Sequence, residues 1–183
     1  MNGNLLSSVW PRSQALHKAV LVGLGVVLLT LASKVQVPFW PVPMTLQTLA
    51  VLLIGATAGA RLGGATVLAW LALGAVGLPV FATGAGLAYM AGPTGGYLAG
   101  FLAAALLTGY LADMGDGRKL GSAFVMLLMG NVLIFALGTA WLAMLIGPKQ
   151  AFAAGVLPFL PAEALKLALG TLLLASAWKR AKR

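Results

Sequence analysis

Apolar residues fill this chain in long stretches, and its polar positions fall in short clusters between them. Hydropathy and punctuation divide it into six apolar segments, Leu16–Ser33, Met44–Ala60, Leu62–Leu78, Gly95–Ala112, Leu120–Ile146 and Val156–Trp178. None alternates with a period of two, and an open sheet would leave backbone groups unpaired in hydrocarbon, so the pattern predicts helices and not barrel strands. A membrane span takes roughly 20 apolar residues rising about 1.5 Å each. The 183 residues therefore predict an all-α bundle of six transmembrane helices, one integral membrane domain over residues 1–183, with no soluble domain. The first segment follows Arg12 and Lys18 and precedes small residues, as a signal peptide does, but it is expected to be retained as a span.

Composition points to the same solvent. With 61% hydrophobic and 8% charged residues the chain cannot cover a water-facing surface, and Leu62–Ala112 carries no charge at all. The absence of Cys rules out disulfides and thiolate metal sites. One His and three acids leave no basis for a metal cluster or a catalytic triad, so neither catalytic residues, metal nor cofactor are expected. No G-x-x-x-x-G-K-[ST] occurs, so any energy from ATP must enter through partners.

The basic residues set the orientation. With both termini cytoplasmic, the inner side carries nine cations, Arg12, Lys18, Arg61, Arg118, Lys119, Lys179, Arg180, Lys182 and Arg183, against Lys34 and Lys149 outside. The net charge of +9 is then a collar facing anionic membrane lipid, and no nucleic-acid partner is needed to explain it.

Against this background Glu163 and Lys166 stand out, because they lie three residues apart inside the last apolar segment. On a helix that spacing puts carboxylate and ammonium on one face, where each lowers the cost of the other, and intramembrane ions usually mark a pathway or a site. Two outer connections lie near the same depth. Gln36–Pro43 (QVPFWPVP) is stiffened by three prolines and carries Phe39 and Trp40, as a lid or as an interfacial aromatic anchor. Pro79–Thr94 is uncharged and glycine-rich, and it runs into Gly95 and Gly96, where free N–H groups can receive a ligand. Packing is the favoured alternative there, since Gly96 and Gly100 form a G-x-x-x-G pair. Gln47, Tyr97, Glu163 and, more loosely, Asn131 all fall toward the outer halves of their segments, which makes a single outward-facing polar pocket.

Taken together, VPFWPVPMTLQTLAVLLIGATAGARLG (Val37–Gly63), LGAVGLPVFA (Leu73–Ala82), GPTGGYLAGF (Gly92–Phe101), Gly130-Asn131 and PFLPAEALK (Pro158–Lys166) resemble the BioY family, the biotin-binding S subunits of energy-coupling factor transporters. The resemblance runs from about Ala15 to about Trp178. It implies a six-helix bundle with an outward pocket for biotin, in a prokaryotic plasma membrane, working with a transmembrane coupling subunit and two ATPase subunits. It also implies that Glu163 and Lys166 occupy the acidic and basic positions of the last-helix motif. Gln47, the stretch Phe81-Ala82-Thr83-Gly84, Tyr97 and Asn131 match pocket positions, with Phe39 counted beside them. Where the family commonly has Gly-Asp this chain has Ala162-Glu163, which carries the carboxylate one methylene further out. Ala15 and Ala19 match the small-residue pattern of the first helix that meets the coupling subunit.

Two other classes of function compete. A secondary transporter coupled to protons through Glu163 would have only one intramembrane acid, neutralised by its neighbour, which is poor provision for a proton relay. An intramembrane enzyme would need a second acid, a His or a nucleophile at comparable depth, and the sequence offers none.

Overall fold

The computed structural model describes residues 15–181, so Arg12, Lys182 and Arg183 of the charge count lie outside the described residues. The elements in chain order are α1 (Ala15–Lys34), β1 (Gln36–Val37), β2 (Met44–Thr45), α2 (Gln47–Ala75), α3 (Gly86–Met90), α4 (Gly95–Asp113), α5 (Leu120–Ile146), α6 (Pro148–Gly155), a 3-10 turn (Leu157–Phe159) and α7 (Leu160–Ala181). Among the described residues five helical runs are long and apolar enough to cross a membrane: α1, α2, α4, α5 and the run Pro148–Ala181 that contains α7.

The second and third apolar segments are joined in α2, and Gly59 is the reason they still form two rods. Its φ of 81° and ψ of 172° are not helical, and this positive φ suits a residue without Cβ. The chain doubles back there. A Cβ placed on Gly63 would stand 3.0 Å from the Cα of Gly55, whereas residues eight apart in a straight helix are about 12 Å apart. The second rod starts with a cap, since the Ala60 N–H donates to Asp113 Oδ2 at 3.0 Å. A carboxylate there meets an otherwise unpaired N–H and the positive end of the rod.

Small residues let the helices close on one another. Gly55 faces α4 so closely that a Cβ would come within 2.6 Å of the Ala105 carbonyl oxygen. Gly100 faces α5, where a Cβ would meet the Ile134 Cα at 2.9 Å. The G-x-x-x-G pair of α4 therefore packs against α5, with Gly96 seated on Trp141 and Leu137. Fully buried Trp70, Phe81, Met126, Leu127, Ile134 and Leu142 belong to the core. By contrast α1 is buried only at Leu29, Ala32 and Ser33, all toward its C-terminal end.

Because dispersion and close backbone approach take the place of the hydrophobic effect between helices in lipid, these glycines have no tolerant substitute. Gly55→Val is expected to cost about 3 kcal/mol, the upper part of the usual range for overpacking, through collision with Ala105 and Thr108. Thermal unfolding in detergent would measure it. A midpoint equal to that of the parent chain would mean that α2 and α4 are free to separate.

The structure moves some predicted boundaries. Met44 and Thr45 do not begin the second span; they pair antiparallel with Val37 and Gln36, so the proline-rich connection is pinched at its base into a small hairpin. The last span starts at Leu160, after α6 and the 3-10 turn, elements the hydropathy pattern did not separate.

Candidate binding site

Glu163 and Lys166 lie in the first turns of α7, and Pro161 sits beside them where a missing N–H costs nothing. Both are buried and joined directly, Lys166 Nζ to Glu163 Oε1 at 2.6 Å. Facing them is the junction of β2 and α2. Lys166 Nζ also donates to the Thr45 carbonyl at 2.6 Å and to Thr48 Oγ1 at 3.1 Å, and Thr48 in turn donates to Glu163 Oε1 at 3.0 Å. An ammonium has three donors, and here each has an acceptor. Lys166 is thereby committed to orienting the carboxylate and anchoring the hairpin base.

The open valence lies elsewhere. Both hydrogen bonds that Glu163 accepts fall on Oε1, leaving Oε2 without a partner among the described residues. Gln47 has the opposite vacancy. Its Oε1 accepts from Thr45 Oγ1 at 3.0 Å, while its Nε2 is buried with no acceptor. A buried polar group left unpaired costs about 1–3 kcal/mol, so the Gln47 donor, with the Glu163 carboxylate beside it, favours a ligand that offers an acceptor and a donor together.

Glu163 and Gln47 line a small, partly enclosed cavity of about 40 Å³. Val42 and Pro43 of the first connection form one side of it, and Phe81, Ala82, Tyr89 and Thr94 of the second form another. The remaining walls come from Tyr97, Leu98 and Phe101 on α4, Phe135 on α5 and Phe159. The aromatic side chains brace one another: Phe81 stacks on Tyr89 at 5.2 Å, and Phe135 meets Tyr97 and Phe159 edge-on, each at 5.9 Å. Pockets for small molecules usually enclose about 300–1,000 Å³, so a ligand enters only if these rings and connections move.

The other predicted residues separate by position. Tyr97 contributes its ring to the wall, but its hydroxyl donates to the Gly155 carbonyl at 2.8 Å and so holds α6. Asn131 is buried beside a different space, a lateral apolar groove of about 520 Å³ between α5, α6 and α7. Phe135 and Glu163 line both spaces and form the partition between them. Phe39 packs its ring 6.2 Å from Phe159, behind the wall. Thr83 is exposed, and Gly84 lies under the Tyr89 ring, so these two stand at the cavity's edge. Ala15 and Ala19 are both exposed in the first turns of α1.

Thr48 and the rings of Tyr89, Phe135 and Phe159 were not foreseen. Thr48 carries no periodic signal, since Thr45 lies in β2 and meets Lys166 through its backbone carbonyl, while Thr48 lies on α2. The aromatic residues carry none either.

Residues 5–183 match the model of the BioY family. The probable biotin transporter BioY of Pyrococcus horikoshii is 38% identical over 154 residues, which span 84% of this chain and 91% of that protein. The biotin transporter BioY of Rhizobium etli is 36% identical over 169 residues, 87% of either chain. A solved structure, the 2.1 Å crystal structure of the S-component for biotin from an ECF-type ABC transporter, aligns with a TM-score of 0.80 over 92% of this chain and 95% of that one. At 23% identity that likeness establishes a shared fold.

Proposed function

This chain belongs to the BioY family, and from that membership we propose that it binds biotin in this cavity and serves as the substrate-specific subunit of an energy-coupling factor importer. The observation that carries the reading is the buried, unpartnered Nε2 of Gln47 beside the Glu163 carboxylate, both lining a largely aromatic enclosure. A ureido group presents N–H donors and a carbonyl acceptor, which answer a carboxylate and an amide N–H, while the fused rings and aliphatic chain suit apolar walls. Lys166 acts in this scheme by aiming Glu163, since its own donors are occupied. Phe39, Thr83 and Gly84 belong to the outer parts of the site that become relevant when the walls move, and Asn131 joins it only if the partition of Phe135 and Glu163 shifts.

The reversal at Gly59 supports six membrane-crossing rods, and the distribution of Lys and Arg supports cytoplasmic termini in a prokaryotic plasma membrane. Transport then draws on ATP through a transmembrane coupling subunit and two ATPase subunits, with no chemical step on this chain. A proton-coupled mechanism finds less support, because Glu163 is fixed between Lys166 and Thr48. Calorimetric titration of the purified chain with biotin is the direct test. Tight one-to-one binding is expected, and no heat or competition at saturating biotin would remove this function.

Ala15 and Ala19 lie one turn apart on the exposed end of α1, a place where two helices can approach closely. Ala15→Leu together with Ala19→Leu is expected to abolish co-purification with the coupling subunit while biotin binding stays unchanged. Intact assembly would remove both alanines from that interface.

A further inference from the structure

The C-terminal end of α1 and the strand beyond it reach across to the second connection. Ser33 Oγ lies 2.9 Å from the Val80 carbonyl oxygen and 2.7 Å from that of Thr30, and shares its proton between them. Lys34 Nζ donates to the Phe81 carbonyl at 2.6 Å, and Gln36 Nε2 lies 3.4 Å from the Ala82 carbonyl oxygen. Three side chains within four residues thus meet three successive carbonyls. These carbonyls lie outside regular structure, and among the described residues no backbone N–H bonds them. The side chains of α1 and β1 supply the hydrogen bonds to this stretch of backbone.

That stretch is a wall of the cavity. Phe81 is fully buried, edge-on to Trp70 at 4.9 Å and stacked on Tyr89, and Ala82 follows it along the lining. On its other side the same short segment is tied to the first connection, because Gln36 and Val37 pair with Thr45 and Met44, and the Thr45 carbonyl in turn receives Lys166. Residues 33–37 therefore bind both uncharged connections to the end of α1.

We propose that Ser33 and Lys34 are positioning residues for the binding cavity: they clasp Val80 and Phe81 and hold the wall Val80–Ala82 in its closed place. The proposal rests on the reading of this cavity as the ligand site. Ser33 contributes a buried hydroxyl bond. Lys34 contributes a charge-assisted bond that stays in reach of solvent and is correspondingly weaker. Gly25 seats α1 against Thr66, and Leu29 and Ala32 bury it further along, so the clasp is the link by which the C-terminal end of α1 reaches the wall.

The test uses the full chain, which lacks Cys, with a single cysteine introduced by Ala82→Cys and labelled by a thiol reagent without biotin. Adding Ser33→Ala and Lys34→Met is expected to speed labelling about tenfold, as losing two backbone anchors favours local opening. The same pair of substitutions beside Val42→Cys, on the opposite connection, is expected to leave its labelling within about twofold, since a local opening does not spread. Lys34→Arg, which keeps a charged donor, is expected to retain the parent rate at Ala82→Cys. Biotin should also dissociate several times faster from the Ser33→Ala, Lys34→Met chain than from the parent. Unchanged labelling at Ala82→Cys would overturn the clasp, and so would an equal rise at both cysteines, which would mean general loosening. If the double substitution does not fold, Lys34→Met alone at its exposed position gives the same comparison. The labelling result does not depend on biotin, so a failure of the parent chain to bind biotin would remove the ligand assignment while the clasp is still decided.

Discussion

Glu163→Ala is expected to weaken biotin binding by about 2 kcal/mol or more, close to thirtyfold, because it removes the acceptor oxygen and strands Lys166 as a buried cation. Lys166 would keep the Thr45 carbonyl and Thr48 Oγ1 but lose its ionic partner among the described residues. Some of the effect would therefore appear as lost stability. Pairing Glu163→Ala with Lys166→Met separates the two contributions: stability should recover, since a buried charge pair can be exchanged for apolar groups at little cost, while affinity should stay low. Titration calorimetry and thermal unfolding on the same preparations would make the comparison. Affinity equal to the parent in the folded Glu163→Ala chain would assign the carboxylate a structural role alone. Glu163→Asp should be much milder, because the charge is kept and the carboxylate is drawn back by one methylene.

Much of this arrangement is visible in the one-dimensional pattern, for identifiable reasons. α5 begins and ends where the hydropathy pattern puts it, Leu120 and Ile146, because Lys119 precedes it and Gly147-Pro148 follows, with Gly147 at a φ of 87°. The two rods of α2 were separable because Gly59, Arg61 and the following glycines interrupt an otherwise apolar stretch, although the turn falls at Gly59 and not in a connection of its own. The ion pair was legible from cost: two charges one turn apart in an apolar helix need each other. What the pattern does not encode is how deep a face reaches. Asn131 lies one turn from Phe135 on the same side of α5, yet only Phe135 reaches the cavity, while Asn131 stays in the lateral groove. The aromatic wall was hidden for a related reason, since Phe and Tyr at an outer interface look alike whether they meet lipid or a ligand. α6 was missed because the eight residues Pro148–Gly155, of mixed polarity, resemble a loop, and Tyr97, which holds them, lies far away in sequence.

The size of the cavity leads to the second large effect. At about 40 Å³ it is far smaller than the spaces that usually hold small molecules, so biotin binding requires both connections to part and then to close over the ligand. The prolines of Gln36–Pro43 limit the entropy lost on closing, since a loop with few conformations has little freedom to give up. Opening should be frequent in the free chain and rare in the complex. Single cysteines made by Val42→Cys and Ala82→Cys lie on opposite connections and line the cavity. An impermeant thiol reagent applied from outside should reach both in the absence of biotin, and saturating biotin should slow each reaction at least about tenfold, equivalent to about 1.4 kcal/mol of protection. Closure by one connection alone would protect one cysteine and leave the other unchanged. Equal rates at both positions with and without biotin would place the ligand elsewhere, and the lateral groove beside Asn131, separated from the cavity by Phe135 and Glu163, would become the space to probe.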